Sequence, residues 1–349
     1  MRSPSIVLGV LLVATAIATR AEAEDPEHVR PSTGTFGELR KASTELTDTF
    51  GEYLDDGHDW IYRRLQHLLE GFDTRFAGSQ GTPIVVPLSP LRIGLDSEFL
   101  HRQRGWTFAA RPEFEATLRL PNLERRFKVF ITSTDLPESP GDPALERNPI
   151  RAGVRLSPLS HVDFDVGVRV KLRPSAFAAL RWTSEFNSGA VHGYPFAKTY
   201  VESGLGFGVS GGLAVERWSG LWIARSASYA NWVRNTSATD WTQTFLVGRA
   251  PAVIQERRYD RLAAGHDLAC GAVARVTVSG DRVSRTSLYE ASVLFKRPLH
   301  GGWLYGYLEP VVRWERDFGW HPDAGIRIGF DALFWGLAET PAKVATHCR

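Results

Sequence analysis

Near its C-terminal end the chain alternates apolar and polar positions with period two, the period of a strand with one wet and one dry face. Tyr289, Ala291, Val293 and Phe295 share one side of a first run, with Glu290, Ser292 and Lys296 opposite. In a second run Leu304, Leu308, Pro310, Val312 and Trp314 oppose Tyr305, Tyr307, Glu309, Arg313 and Glu315. A third sets Ile326, Ile328, Phe330, Ala332 and Phe334 against Asp323, Arg327 and Asp331. A soluble sandwich alternates too, but its strand ends are seldom ringed by tryptophan. Here Trp303, Trp314, Trp320 and Trp335 fall at strand ends, where an amphipathic ring suits a membrane–water boundary. A dry outer face, a charged inner face and aromatic rims predict a transmembrane β-barrel.

The same period runs back along the chain. Residues 91–101 alternate weakly through Leu91, Ile93 and Leu95, and 112–120 alternate clearly through Phe114, Ala116, Leu118 and Leu120. Val129 and Ile131 lead the next short run, followed by a long Pro-, Gly- and acid-rich loop over 136–149. Strands are then predicted over 150–156, 162–171 and 176–186, and 187–195 reads as a second loop. One long glycine-rich strand is expected from about 196 to 217, then strands over 221–233, 241–254 and 261–279. This makes about thirteen strands, whereas single-chain bacterial barrels have an even number. The long and short connections lose their alternation before Asn187, which places the miscount there. The prediction is therefore an all-β, antiparallel, up-and-down barrel of about 12 strands spanning 87–336.

The N-terminal part does not alternate. Arg2, the apolar run 6–18 and Ala21-Glu22-Ala23 before Glu24 have the layout of a cleaved export signal over 1–23. Residues 24–86 then read as a periplasmic leader with amphipathic helices. Ile61, Leu65, Leu68, Leu69 and Phe72 make one apolar stripe within 36–76, and Asp59 is a candidate N-cap. That segment either packs on the barrel base or a periplasmic partner, or plugs the lumen. Residues 337–349 form a tail.

Composition adds little that is positive. In 349 residues, 41 basic and 39 acidic side chains give a formal charge of +2, a balance that argues against nucleic acid or an acidic polymer as partner. No later stretch is long and apolar enough for a membrane helix, so only a closed barrel could cross. Cys270 and Cys348 are the two cysteines. An oxidising compartment permits one disulfide between them, and two unpaired thiols remain the alternative.

The inner rows carry the charges. Glu113, Glu115, Arg119, Arg126, Lys128, Arg151, Arg155, Asp163, Asp165, Arg169, Lys171, Arg181, Glu185, Glu309, Arg313, Arg327 and Asp331 all stand opposite apolar faces. So many charges on a lipid face would be too costly, which assigns them to the lumen. They could line a pore with a basic bias in its first half, suited to an anionic solute. They could equally form a salt-bridge lattice that fills a narrow lumen.

Catalytic signals are weak. Residues 206–211 fit G-x-G-x-x-G and 208–212 fit G-x-S-x-G, but both patterns need a strand–turn–helix setting and strand continues here. No histidine pair has metal-ligand spacing, and no cofactor is expected. A rim set such as Ser284, Ser287 and His266 could be assembled on paper for a hydrolase.

With these residues in view, the chain resembles the Gram-negative outer-membrane β-barrel class. Residues 120–126 (LPNLERR) and 303–310 (WLYGYLEP) are similar to a group of uncharacterised proteobacterial barrels. The resemblance implies insertion by the barrel-assembly machinery through a C-terminal strand ending in an aromatic, here Phe334 or Trp335, with outer-membrane lipid as the surrounding partner. The tail after that strand departs from the class pattern. The functional expectation is a narrow channel or a closed-lumen scaffold. The alternatives are a membrane-embedded hydrolase, or an interaction module docking a periplasmic partner through 36–76.

Overall fold

The computed structural model describes residues 55–57, 59–60, 63–64, 91–103, 105–119, 127–133, 150–170, 174–235, 238–253, 262, 265–282, 285–300, 302–334 and 348. Fifteen strands form a single sheet. In chain order they begin with β1 (Leu91–Arg102), β2 (Gly105–Arg119), β3 (Phe127–Thr132), β4 (Ile150–Leu159), β5 (Val162–Val170), β6 (Ser175–Thr183) and β7 (Phe186–Ser188). They continue with β8 (Val191–Glu202), β9 (Gly206–Ser219), β10 (Trp222–Val233) and β11 (Ala238–Val253). The last four are β12 (Leu268–Arg282), β13 (Arg285–His300), β14 (Leu304–Glu315) and β15 (Pro322–Phe334).

Neighbours in sequence pair antiparallel, and β15 pairs back on β1, closing the ring. Both β6 and β7 lie on β8 in one continuous register, Thr183 opposite Phe196 and Phe186 opposite Gly193. They are therefore one broken stave. The barrel has fourteen staves, an even number as closure of an up-and-down ring requires. We call the rim where β1, β8, β10, β12 and β14 begin the lower rim, and the opposite one the upper.

The expected count of about twelve is corrected upward, and the miscount lies after Asn187. The long strand expected over 196–217 is two strands, β8 and β9, joined by a turn over 203–205. Gly204 and Gly206 both have a φ of 88° there, a region open to glycine and strained for other residues. In a stretch already rich in glycine, the turn glycine was indistinguishable from the strand glycines. The loop expected over 187–195 is mostly the β7–β8 hairpin, and the strand expected from 261 begins at Leu268. The weak run 91–101 is a full strand, paired on both sides. Residues 206–211 lie in β9, so the glycine pattern is extended strand.

Exposure alternates along most staves. On β5, Phe164, Val166, Val168 and Val170 are exposed while Asp165 and Arg169 are buried. On β13, Tyr289, Val293 and Phe295 are exposed while Glu290, Ser292 and Lys296 are buried. The buried rows are the inner rows: their side chains bond across intervening strands, as Lys296 on β13 does to Asp331 on β15 at 2.7 Å. No helix among the described residues is long and apolar enough to cross a membrane.

One transverse inner row shows how glycine and aromatic rings divide the space. The register aligns Phe130, Gly153, Gly167 and Phe177 across β3 to β6. The two rings bend over the two glycines and meet with centroids 6.4 Å apart. Arg155 lies over Phe130 and Arg151 over Phe177, at 5.3 and 5.5 Å. A Cβ on Gly167 would stand 2.3 Å from the Ala152 carbonyl oxygen, a backbone atom that cannot step aside.

Residues 55–57, 59–60 and 63–64 are helical; the rest of the stripe expected over 36–76 lies outside the described residues. Asp59, the candidate cap, is itself helical, with Arg63 donating to its carbonyl oxygen at 3.2 Å. Asp55 accepts a hydrogen bond from Trp303 Nε1 and pairs with His300, both at 3.0 Å, which holds this turn at the lower rim. The cysteines are joined, Cys270 to Cys348, with Cα atoms 5.9 Å apart. Cys348 packs against Ala269, Tyr305 and Leu333, all buried at the lower end of the barrel.

Gly167→Val is expected to destabilise the barrel by about 1–3 kcal/mol through overpacking. A lower urea midpoint for the heat-modifiable folded band on gels is the check, and an unchanged midpoint would contradict the row described above.

Candidate functional site

A ring of this many staves, with strands ~4.8 Å apart and tilted by ~40°, has a backbone diameter of about 28 Å. Side chains alone fill an eight-strand barrel but do not span this one. What lies inside near the lower rim is part of the connection from β11 to β12.

Leu262 of that connection is fully buried against Tyr194, Phe196, Ala214, Ala227 and Tyr229, inner residues of β8, β9 and β10. Gly265 lies beneath Leu246 and Leu294, since a Cβ there would meet their methyl groups at 2.9 and 3.3 Å. Its φ of 76° turns the chain where no side chain would fit. Leu268 joins Ile223, Leu246, Ala250, Val273, Leu294 and Tyr307 in a second apolar cluster.

Arg225 on β10 fixes this segment. Its Nε and Nη2 donate to Glu216 Oε2 at 3.0 and 2.6 Å. Its Nη1 and Nη2 donate to the two carboxylate oxygens of Asp267 at 2.8 and 2.7 Å. Nη1 also donates to the Leu262 carbonyl oxygen at 2.8 Å. All five N–H donors of the guanidinium are thereby used. The three side chains are at most 1% exposed. Glu216 is itself oriented by Trp218 Nε1 at 2.9 Å and the Tyr194 hydroxyl at 3.3 Å. Lys296 Nζ anchors the same segment from the other flank, donating to the His266 carbonyl oxygen at 3.0 Å and to Asp331 at 2.7 Å. Arg92 bonds the other oxygen of Asp331 and pairs with Glu113 at 3.0 Å.

Toward the upper rim a lattice of carboxylates and guanidinium groups joins β12 through β1. Glu290 receives Arg327 at 2.6 Å, Arg313 at 2.9 Å and Arg275 at 3.3 Å. Glu309 receives Arg275 at 2.5 Å and the Ser292 hydroxyl at 2.5 Å. Glu98 on β1 pairs with Arg313 at 2.8 Å and Arg327 at 3.5 Å. Three of these links, Arg327 to Glu290, Arg275 to Glu309 and Arg313 to Glu98, skip a strand and so brace the wall across its backbone ladder.

Of the charged residues expected in the lumen, Glu115, Arg151, Asp165, Arg169, Arg181, Glu309, Arg327 and Asp331 are buried. Arg313 joins the lattice just described, and Arg155 donates to Asp165 at 2.7 and 2.9 Å. Asp163 accepts from the Ser157 hydroxyl at 2.6 Å, and Arg169 pairs with Glu202 at 3.1 Å. Lys128 is half-buried on the row that holds Phe130. Glu185 departs from the expectation: it is exposed, in the break between β6 and β7 where the alternating ladder lapses. Arg126, Lys171 and the side chain of Arg119 lie outside the described residues.

Of the expected interface aromatics, Trp320 is exposed at the upper rim with its ring 5.3 Å from Tyr289. Trp314 is half-buried near the upper end of β14, and Trp303 is half-buried at the lower rim against Phe334. Trp335 lies outside the described residues.

Sequence reasoning missed Arg225, Glu216 and Asp267. On β10 the inner row mixes Ile223, Ala227, Tyr229 and Val233 with Arg225 and Asn231, and the outer row sets Ala224, Ser226, Ser228 and Ala230 between Trp222 and Trp232. Alternation there does not separate the two faces. The hydrolase set does not assemble. Ser287 is near the upper rim, bonded to the Ser279 carbonyl oxygen, whereas His266 lies at the lower end beside Tyr307. Ser284 lies outside the described residues. Among the described residues no group of three or more His, Cys, Asp or Glu could hold a metal ion.

No family model matches the chain, and no curated protein matches it. Solved structures that match include outer-membrane proteins. Pseudomonas aeruginosa OccK2 (OpdF) aligns over 71% of this chain and 97% of its own, at 9% identity and a TM-score of 0.40. Pseudomonas putida OprB aligns over 71% and 92%, at 7% identity and a TM-score of 0.38. A bacterial polysaccharide outer-membrane secretin aligns over 72% and 100%, at 11% identity and a TM-score of 0.38. Likeness at this level says nothing of what passes through or binds this chain.

Removing one partner of a buried ion pair typically costs about 3–5 kcal/mol because a charge is left unpaired in a dry site. In Asp267→Asn the infolded segment should therefore open far more often. A cysteine placed by Leu262→Cys is expected to react with a membrane-impermeant maleimide at least about tenfold faster in the Asp267→Asn background, a loss of only ~1.4 kcal/mol in holding energy. Equal rates would show that Arg225 does not hold the segment.

Proposed function

We propose that the chain is an integral outer-membrane β-barrel acting as a narrow channel, closed at rest near its lower rim by the segment around 262–267. The single observation that carries the reading is Arg225, with every donor committed to Glu216, Asp267 and the Leu262 carbonyl oxygen. A purely structural filling could be apolar throughout. A segment held instead by a buried ion triad has two definable states, bonded and released. Solute would pass when the segment moves.

The membrane assignment rests on the outer rows. Val166, Val168, Leu180, Phe245, Val247 and Ile328, on staves around the ring, are all more than two-fifths exposed. Exposed aromatics flank them: Trp106 and Trp232 toward the upper rim, Trp182 and Trp222 toward the lower. On β10 the two tryptophans stand ten residues apart, about 25 Å along the membrane normal at a ~40° tilt. That is the height of the apolar band in barrels of this kind. Surrounding lipid, the barrel-assembly machinery and an N-terminal export signal belong to the same reading. The docking of a periplasmic partner through 36–76 is less favoured, because Asp55 is already engaged by Trp303 and His300 of the barrel itself.

The test is single-channel recording on protein inserted in planar bilayers. Wild type should be closed for most of the record with brief openings, and Asp267→Asn should raise the open fraction at least about tenfold, in line with the loss of one buried ion-pair partner. Silence from both would remove the channel and leave a closed scaffold. Release of the protein from membranes by alkaline carbonate would remove the membrane assignment as well.

A further inference from the structure

The outer rows of β9, β11 and β13 share one layout. Each has an aromatic residue toward the upper rim, then mainly apolar or small residues, and closes near the lower rim with an arginine. The pairs are Phe207 and Arg217, Trp241 and Arg249, and Tyr289 and Arg297. All three arginines are exposed, and each directly follows a buried inner residue: Glu216, Gly248 and Lys296 respectively. None has an ion-pair or side-chain hydrogen-bond partner among the described residues. No acidic side chain occupies an outer row at the lower rim among the described residues. The exposed Glu185 lies in the β6–β7 break, on the inner parity. At the upper rim, by contrast, Arg316 is paired with Asp281 at 2.9 Å.

The three arginines stand at one height. The backbone register carries Arg249 through Trp222 to Ser219 on β9, and through Ala272 to Phe295 on β13. Arg217 lies two residues above Ser219 and Arg297 two residues below Phe295. The register line itself sinks in passing from β13 to β9: followed from β1 it starts at Ser97, in mid-strand, and ends at Ser219, the last residue of β9. Climbing about one residue per strand against that slope holds a level in a barrel tilted by ~35–45°. The exposed indole of Trp222 stands opposite Arg249 in register, and Arg217 stands opposite Ala224, the next outer residue of β10.

Resting on the membrane assignment above, we infer that Arg217, Arg249 and Arg297 form a belt that binds the phosphate groups of anionic phospholipids in the leaflet at the lower rim. The chemistry is complementary: guanidinium forks match phosphate oxygens bidentately, and an indole at the same depth packs on the glycerol and upper acyl carbons. Three like charges at the edge of the apolar band, without a protein counterion, are otherwise a cost to the bare barrel. A lipid headgroup converts that cost into attachment, and its direction sets the barrel's depth on this arc.

The experiment uses the whole mature protein and an Arg217→Gln/Arg249→Gln/Arg297→Gln variant. Both are folded into vesicles of phosphatidylcholine with about a third phosphatidylglycerol, an anionic fraction large enough for surface attraction to register. Lipid retained after mild detergent extraction is identified by native mass spectrometry. Wild type is expected to retain phosphatidylglycerol over phosphatidylcholine by tenfold or more, and the triple variant to show near parity. Each single substitution should lose on the order of fivefold. A wild type without preference, or a triple variant with undiminished preference, overturns the belt. A crosslinked second copy or partner that disappears in the variant while lipid retention stays the same overturns it in favour of a protein-docking surface. Flotation with vesicles is scored separately: if neither protein floats, the membrane assignment fails, whereas a floating wild type without preference loses the belt alone.

Discussion

A backbone amide in hydrocarbon has no water to bond, so each must find its partner within the protein. On the membrane reading proposed above, that constraint is met by closure, with β15 returning to β1; among the described strands the three-residue β7 is bonded on one side alone, to β8. The rest follows from it. A closed antiparallel ring has two faces and a side-chain period of two, so every stave must divide its residues between the outer face and the interior. It also forces an even number of staves. The broken stave β6–β7 respects that number by keeping one register across its gap.

Closure at fourteen staves creates a second problem, an interior too wide for side chains to fill. Near the lower rim the chain meets it with backbone, bringing Leu262 and 265–267 inside and bonding them to β10 and β13. Backbone brought into a dry interior carries its own polar groups. The Leu262 and His266 carbonyl oxygens are accordingly taken by Arg225 and Lys296. Each cation then needs an anion, supplied by Asp267, Glu216 and Asp331. The buried charges near the lower rim are thus a consequence of ring size. Their mutual attraction does not explain their presence, since desolvation offsets most of what a buried pair gains.

Much of the barrel was legible because most staves keep an apolar outer face and a charged inner one. Val162 to Val170 alternates cleanly, since its outer positions must be apolar and its inner ones, near Arg155 and Glu202, must be charged. Legibility failed wherever a face had another duty. On β10 the inner row mixes apolar residues packed near Leu262 with Arg225 and Asn231, while its outer row sets small and polar residues between two tryptophans. There Ser226 and Ser228 share hydrogen bonds with Gln243 of β11. Gly204 was hidden among glycines, although its positive φ marks the turn between two staves. The candidate site fared worst. Arg225, Glu216 and Asp267 come from two strands and a connection, 9 and 42 residues from the arginine. No local period brings such residues together.

The disulfide belongs to the same lower end and has a mechanical reading. It joins Cys270, three residues beyond Asp267, to Cys348 across 78 residues of chain. In the chain-entropy account a loop of that length stabilises the folded state by about 4 kcal/mol. Its placement matters more than its size. Released from Arg225, the segment before β12 could swing only about the start of that strand, and the bond with the packing of Cys348 on Ala269, Tyr305 and Leu333 pins that start. On the gating proposed above, movement would be confined to the side of Asp267 away from β12, where Leu262 sits. A segment tethered this firmly at one end, and by the Arg225 triad and the Lys296 bond to the His266 carbonyl oxygen at the other, would on that gating have those two bond sets to break and a short path to re-form them.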